Sequence, residues 1–167
     1  MDLPFGKFRD KETPIDNVSN FNSEKENIVY LTSQTELNLR QVIFVTAHAN
    51  CKLVDGGEFD VSKRTVAATK LEEGDTVVSV MSVLEQKNII LQTKEGVFLR
   101  FLIEEIPEKK KGAVGVRGMK LGPKDAVERV YYTQNGIETT VEYKEKKLIL
   151  NNLKAARRDT KGTKIRV

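Results

Sequence analysis

The chain has 167 residues, 39% of them hydrophobic and 31% charged, with a net charge of +4. That length suits a domain with a real hydrophobic core, and the composition is that of a globular chain rather than a disordered one. No apolar run approaches the ~18 residues a membrane span needs, and residues 1–10 carry no secretory hydrophobic region, so a cytoplasmic protein is expected. Cys51 and His48 are the only cysteine and histidine, which excludes an intrachain disulfide framework and a Cys/His zinc site. Charge is unevenly placed: residues 1–60 hold 6 Lys/Arg against 10 Asp/Glu, leaving 22 against 14 for residues 61–167. Such asymmetry suggests a polyanion partner for the C-terminal two thirds, with a basic surface that serves solubility as the alternative.

In chain order, residues 1–26 read as an acidic leader and residues 28–31 as a short strand. Residues 42–46 turn through 47–50 into 51–54, a first hairpin. Glu58-Phe59 and the dibasic pair Lys63-Arg64 follow, then a strand at 66–71, a turn at Glu73-Gly74-Asp75, and the β-branched run 76–83. A second hairpin pairs 88–93 with 97–102 around Gly96, which supplies the positive φ of the turn. Glu105-Ile106 and Lys110-Lys111 come next, then a strand over 114–121, a turn at 122–125 and a strand at 126–132. The pattern ends with 139–143 turning into 147–150, then Asn152-Leu153, Arg157-Arg158 and a strand at 162–167.

These elements repeat. Glu58-Phe59, Glu105-Ile106 and Asn152-Leu153 are spaced by 47 residues, and so are the three dibasic pairs. A fixed period of this size signals a repeat architecture, and four short strands per unit signal the blades of a propeller. The expected fold is therefore all-β and propeller-like, built of four-stranded blades with a period of about 47 residues. Blade material falls at 27–58, 59–105 and 106–152, with a closing strand at 153–167. Equivalent residues of successive blades occupy equivalent places, so the dibasic pairs should recur along one rim or face, where they could follow a bent phosphate backbone without reading bases.

The run from Glu58 to Leu71 with Glu73-Gly74-Asp75, then Thr93 to Gly96 with Leu99-Arg100-Phe101, then Gly115 to Leu121 and the closing run from Leu153 to Lys164, resembles successive blades of the C-terminal β-pinwheel of bacterial type IIA topoisomerase A subunits, those of DNA gyrase and topoisomerase IV. The resemblance covers roughly residues 27–167. It implies a module without catalytic residues, cofactor or metal of its own, which contacts and bends double-stranded DNA. It also implies as partners the ATPase B subunit of the holoenzyme and the remainder of the A subunit, in the nucleoid-associated cytoplasm. The family commonly has about six blades; this chain has material for roughly three. The gyrase box Gln-Arg-Arg-Gly-Gly-Lys-Gly has its nearest match in Lys109-Lys110-Lys111-Gly112-Ala113-Val114-Gly115, where the dibasic pair and two glycines are kept, and this does not separate gyrase from topoisomerase IV.

The candidate phosphate contacts are Lys63, Arg64, Lys110, Lys111, Arg157 and Arg158, followed by Lys70, Arg117, Lys120, Lys161 and Lys164 on adjoining segments, some of which strand alternation would turn away. Gly112, Gly115 and Gly118 serve either close backbone approach to phosphate or a tight crossing between blades. Tyr30, Tyr131, Tyr132 and Tyr143 sit in strand-like runs and read as packing residues, His48 as a turn residue and Cys51 as core. With aromatics at 7% and no tryptophan, base stacking on single strands has little support. A propeller-like protein-interaction module whose acidic residues 1–60 bind a basic partner is the alternative reading.

Overall fold

A computed structural model describes residues 22–63 and 65–166. A short helix α1 (Gln34–Asn38) precedes ten strands: β1 (Gln41–Thr46), β2 (Asn50–Asp55), β3 (Val77–Ser82), β4 (Asn88–Thr93), β5 (Val97–Leu102), β6 (Val116–Arg117), β7 (Val127–Thr133), β8 (Thr140–Tyr143), β9 (Lys146–Ile149) and β10 (Thr163–Lys164). Single 3₁₀ turns at Gly56–Phe59, Ile103–Glu105 and Leu150–Asn152 follow β2, β5 and β9. Two four-stranded antiparallel sheets have the orders β3-β1-β2-β6 and β10-β5-β4-β7, and β8 pairs with β9 alone.

The 47-residue step is written into the pairing. Gln41 faces Asp55 as Asn88 faces Leu102, and Asn50 faces Arg117 as Val97 faces Lys164, each residue advanced by 47. The parallel bridge between Leu53 and Glu108 recurs between Arg100 and Ala155. Even the irregularity repeats: the β1–β3 register shifts between Val45 and Thr46, and the β4–β7 register between Gln92 and Thr93. Such bulges are designed features of a sheet rather than defects.

Neither large sheet is a contiguous stretch of chain. The first takes its outermost strand, β6, from beyond the β4–β5 hairpin, and the second takes β10 from beyond β8 and β9. The sheets are stacked, and alternation decides which side chains meet. Ile43, Val45, Cys51 and Leu53 of the first sheet pack against Ile89, Leu91, Leu99 and Phe101 of the second. Shifted back by 47, the latter correspond to positions 42, 44, 52 and 54, so the front of one sheet meets the back of the next. Both faces of the hairpins are covered as a result, which is why β1 and β4 read as near-continuous β-branched and apolar runs. Burying each such side chain contributes about 1.5–3 kcal/mol. On the outer faces, Val42, Phe44 and Val54 pack with Leu37 and Phe59, and Ile90, Phe98 and Leu150 with Tyr143 and Leu148. Tyr132 and Ser79 hydroxyls join the two sheets at 2.9 Å.

Several expected strands differ. Residues 28–31 are not a strand; Tyr30 rests on β3 through its hydroxyl, 2.6 Å from Ser82 Oγ. The strands expected over 114–121 and 162–167 shrink to two residues each, because only Val116–Arg117 and Thr163–Lys164 lie beside a hairpin. Residues 66–71 form no strand; the hairpin they would join, 67 residues upstream as for β6 and β10, falls outside the described residues. Gly115 (φ +105°) and Gly162 (φ +71°), 47 apart, cross so closely that a Cβ would stand 2.6 Å from the Cys51 carbonyl oxygen and 2.7 Å from that of Phe98. The equivalent position in the first copy is Ala68.

Candidate nucleic-acid interface

After the second and third 3₁₀ turns the chain runs back along the hairpin of the preceding repeat through the parallel bridges just described, and the dibasic residues lie in the loop that follows each turn. The structure divides the pairs. The Lys111 amide donates to Glu58 Oε2 at 2.8 Å and its Nζ to the Glu58 carbonyl at 2.9 Å. Forty-seven residues on, the Arg158 amide donates to Glu105 Oε2 at 2.8 Å and its Nε to the Glu105 carbonyl at 2.9 Å, while Nη1 donates to the Arg117 carbonyl at 2.7 Å. Lys111 and Arg158, the second cations of their pairs, thus tie their loops to the 3₁₀ turn of the preceding repeat. The first cation faces solvent: Lys63 and Arg157 are exposed with no ion pair among the described residues, and Lys110 has 88% of its side chain exposed with Nζ 3.1 Å from Glu58 Oε1. The Lys111 amide, helped by the Lys110 ammonium, holds Glu58 below the usual carboxylate range, and Glu58 in turn raises Lys110. Arg64 lies outside the described residues.

The adjoining cations contain a series that reading by segments missed. Lys70, Arg117 and Lys164 are themselves 47 apart, and the last two lie on β6 and β10. All three are exposed. Arg117 forms a two-pronged ion pair with Asp159, which holds the Asp159 carboxyl below its ordinary value. Lys120 and Lys161 are exposed; the Lys120 amide donates to the Thr160 carbonyl at 2.9 Å. Of the three glycines, Gly115 and Gly118 are crossing points, since a Cβ on Gly118 would stand 3.0 Å from Cys51 Sγ, and only Gly112 has open space around it. A residue absent from the sequence-based candidates, Lys52, has its ammonium inside the 109–115 loop. Its signal was a lysine in the middle of an apolar strand, at the position Leu99 occupies in the next copy.

The remaining chemistry-bearing groups have packing roles. His48 Nδ1 lies 3.3 Å from Glu72 Oε2 and 3.9 Å from Asp75 Oδ2, and among the described residues these three are the one group of potential metal donors within 4.8 Å of one another. Asp75 is occupied structurally: its Oδ1 accepts the amides of His48 and Thr76 at 2.9 and 2.8 Å. Asp125 does the same for Glu95 and Ala126 in the second sheet, at 3.2 and 2.9 Å, without a histidine. Burial raises the Asp75 pKa, but bonds from the Thr46 hydroxyl and the two amides outweigh it and the carboxyl titrates below its ordinary value. Cys51 is buried and its thiol is pushed up to about 12 by desolvation. Tyr131 donates to Gln92 Oε1 at 2.7 Å, Tyr143 packs edge-on against Phe98, and burial pushes Tyr132 up to about 12.

Stacked four-stranded antiparallel blades that exchange their outermost strands, with one cation of each repeat turned outward, define a propeller-class repeat module. The chain belongs to the family described as the DNA gyrase C-terminal domain, beta-propeller, whose model matches residues 40–83 and 87–133. It is similar to the DNA gyrase A subunits of Lawsonia intracellularis, 30% identical over 126 residues, and of Rickettsia prowazekii, 32% identical over 130 residues. Each alignment covers 75% of this chain and only 15% and 14% of those relatives. Among solved structures, the C-terminal domain of DNA topoisomerase IV superposes with a TM-score of 0.82 at 24% identity, covering 98% of this chain and 52% of that one. The DNA gyrase A C-terminal domain gives 0.73 at 20% identity, covering 93% and 53%. The fold is the all-β, propeller-like one expected from the repeat and the β-pinwheel implied by the resemblance.

Proposed function

We propose that this chain is a duplex-DNA-binding module of a type II topoisomerase A subunit, holding and bending the DNA on which a separate catalytic core acts. Its partners are then double-stranded DNA, the ATPase B subunit, and the remainder of the A subunit. The observation that carries this reading is the recurrence of an outward cation, Lys63, Lys110 and Arg157, at equivalent positions of successive repeats, with Lys70, Arg117 and Lys164 as a second row. Cations spaced by a structural repeat suit a polymer with regularly spaced phosphates. Contacts of this kind gain affinity through counterion release and position the duplex without reading its sequence.

Binding of a fluorescent duplex of about two helical turns, titrated over a range of salt concentrations, tests the proposal. Six phosphate contacts predict a slope of log affinity against log salt of about −5, at roughly −0.9 per contact. Two duplexes of unrelated sequence should bind alike, and binding should bring fluorophores at the duplex ends closer together. Salt-independent or undetectable affinity would remove the proposal.

A further inference from the structure

Lys52 lies in the middle of β2, between Cys51 and Leu53, and none of its surface reaches solvent. A buried ammonium is costly unless its donors are satisfied. It has three donors and no acceptor, and here Nζ lies 2.7 Å from the Ala113 carbonyl oxygen, 2.8 Å from that of Lys111 and 3.2 Å from that of Lys110. The Phe44 ring stands 5.4 Å from Nζ. Burial pushes the Lys52 pKa down, and Glu58 opposes that shift.

All three acceptors belong to one loop, which carries three consecutive lysines, Lys109, Lys110 and Lys111, with the first two exposed. The loop is tied at its other side by the bonds from Lys111 to Glu58, and it returns to the sheet at Gly115, where a Cβ would stand 3.2 Å from Lys52 Cβ. The next loop is organised differently. Position 99 is leucine, and the cation has moved to Arg100, whose alternated side chain takes the carbonyls of Asn151 and Leu153, upstream of Arg157. The lysine ammonium is thus specific to residues 109–115.

We propose that Lys52 is the positioning residue of this loop: by gathering three carbonyls it sets the backbone that presents Lys109 and Lys110, and so governs DNA contact without touching DNA. This inference rests on the DNA-binding reading above, and its test separates the two. In the full chain, Lys52→Met keeps an unbranched apolar stem and removes the ammonium, and Lys52→Arg restores a cation. The initial rate of tryptic cleavage after residues 109–111, measured with the melting curve of the same sample, should rise at least ten-fold in Lys52→Met and less in Lys52→Arg. Duplex affinity should fall about five-fold, and the salt slope should lose about 0.9, the share of the Lys110 contact, with partial recovery in Lys52→Arg. Generalised destabilisation would leave that slope unchanged. In the wild-type chain the ¹⁵Nζ resonance of Lys52 should be visible and protected from solvent exchange, a readout that does not need a folded variant. Wild-type cleavage rates in Lys52→Met, a loop that opens with no change in affinity or slope, or a rapidly exchanging Lys52 ammonium would each overturn the proposal. A wild-type chain that does not bind duplex would sink the DNA-binding reading instead, while cleavage and ¹⁵N exchange still decide whether Lys52 holds the loop.

Discussion

The division of the second and third dibasic pairs into an outward and an inward cation makes neighbouring residues of the same charge behave oppositely. Arg158 donates two side-chain hydrogen bonds to backbone carbonyls, at 2.9 Å to Glu105 and 2.7 Å to Arg117. A hydrogen bond from a charged group contributes about 1.5–3 kcal/mol. Because the side chain is only half-buried, the low end applies and solvent recovers part of it, so Arg158→Met should cost about 2 kcal/mol. For a domain of this size each kcal/mol moves the melting temperature by about 2–4 °C, giving a fall of about 4–8 °C. The salt slope of DNA binding should be unchanged, because that guanidinium is already spent on the protein. Arg157 has no ion pair and no side-chain hydrogen bond among the described contacts, so Arg157→Ala should leave the melting temperature within about 2 °C and remove about 0.9 from the slope. The triple variant Lys63→Ala, Lys110→Ala, Arg157→Ala should remove about 2.7. Differential scanning calorimetry and a salt titration of duplex binding measure both quantities on the same samples. A slope loss in Arg158→Met equal to that in Arg157→Ala, with unchanged melting, would refute the assignment of inward and outward roles.

Gly115→Ala and Gly162→Ala each place a Cβ within 2.7 Å of a carbonyl oxygen at positive φ, and each should cost at least about 3 kcal/mol in denaturant unfolding; the equivalent Ala68→Gly should cost under about 1 kcal/mol. Asp75 has a carboxyl pKa lower in the fold than in the unfolded chain, so its contribution is fully present above the unfolded value of about 3.9 and is lost as pH falls below it. Asp75→Asn should therefore flatten the acid limb of the stability–pH curve, and an unaltered limb would count against the bracket it forms with Thr46, His48 and Thr76. Cys51, buried with its thiol pushed up to about 12, should resist iodoacetamide at pH 8 in the folded chain and react once denatured; alkylation at the rate of a free thiol would show that this face of β2 is open.

Much was legible in the sequence because a 47-residue step leaves marks at every level. The three hairpins, the repeat position of Asn152-Leu153, the recurrence of the dibasic pairs and the packing roles of Cys51 and the tyrosines follow from alternation, turn residues and spacing, which are local properties. The fold class followed from counting four strands per repeat. What the period could not say is which strands share a sheet: β6 and β10 join hairpins 67 residues upstream, and such pairing depends on contacts distant in sequence. The glycine contrast at 68, 115 and 162 was present in the sequence but carried no meaning until the crossing with the Cys51 and Phe98 carbonyls was seen. The candidate interface shows the same division. The 47-residue spacing placed lysine and arginine in equivalent loops, but whether a cation faces solvent or a carbonyl depends on the acceptors the fold brings beside it. Lys110 and Lys111 differ by one position and by nothing in charge; the tertiary structure alone leaves one ammonium in solvent beside the Glu58 carboxylate and ties the other to the Glu58 backbone carbonyl.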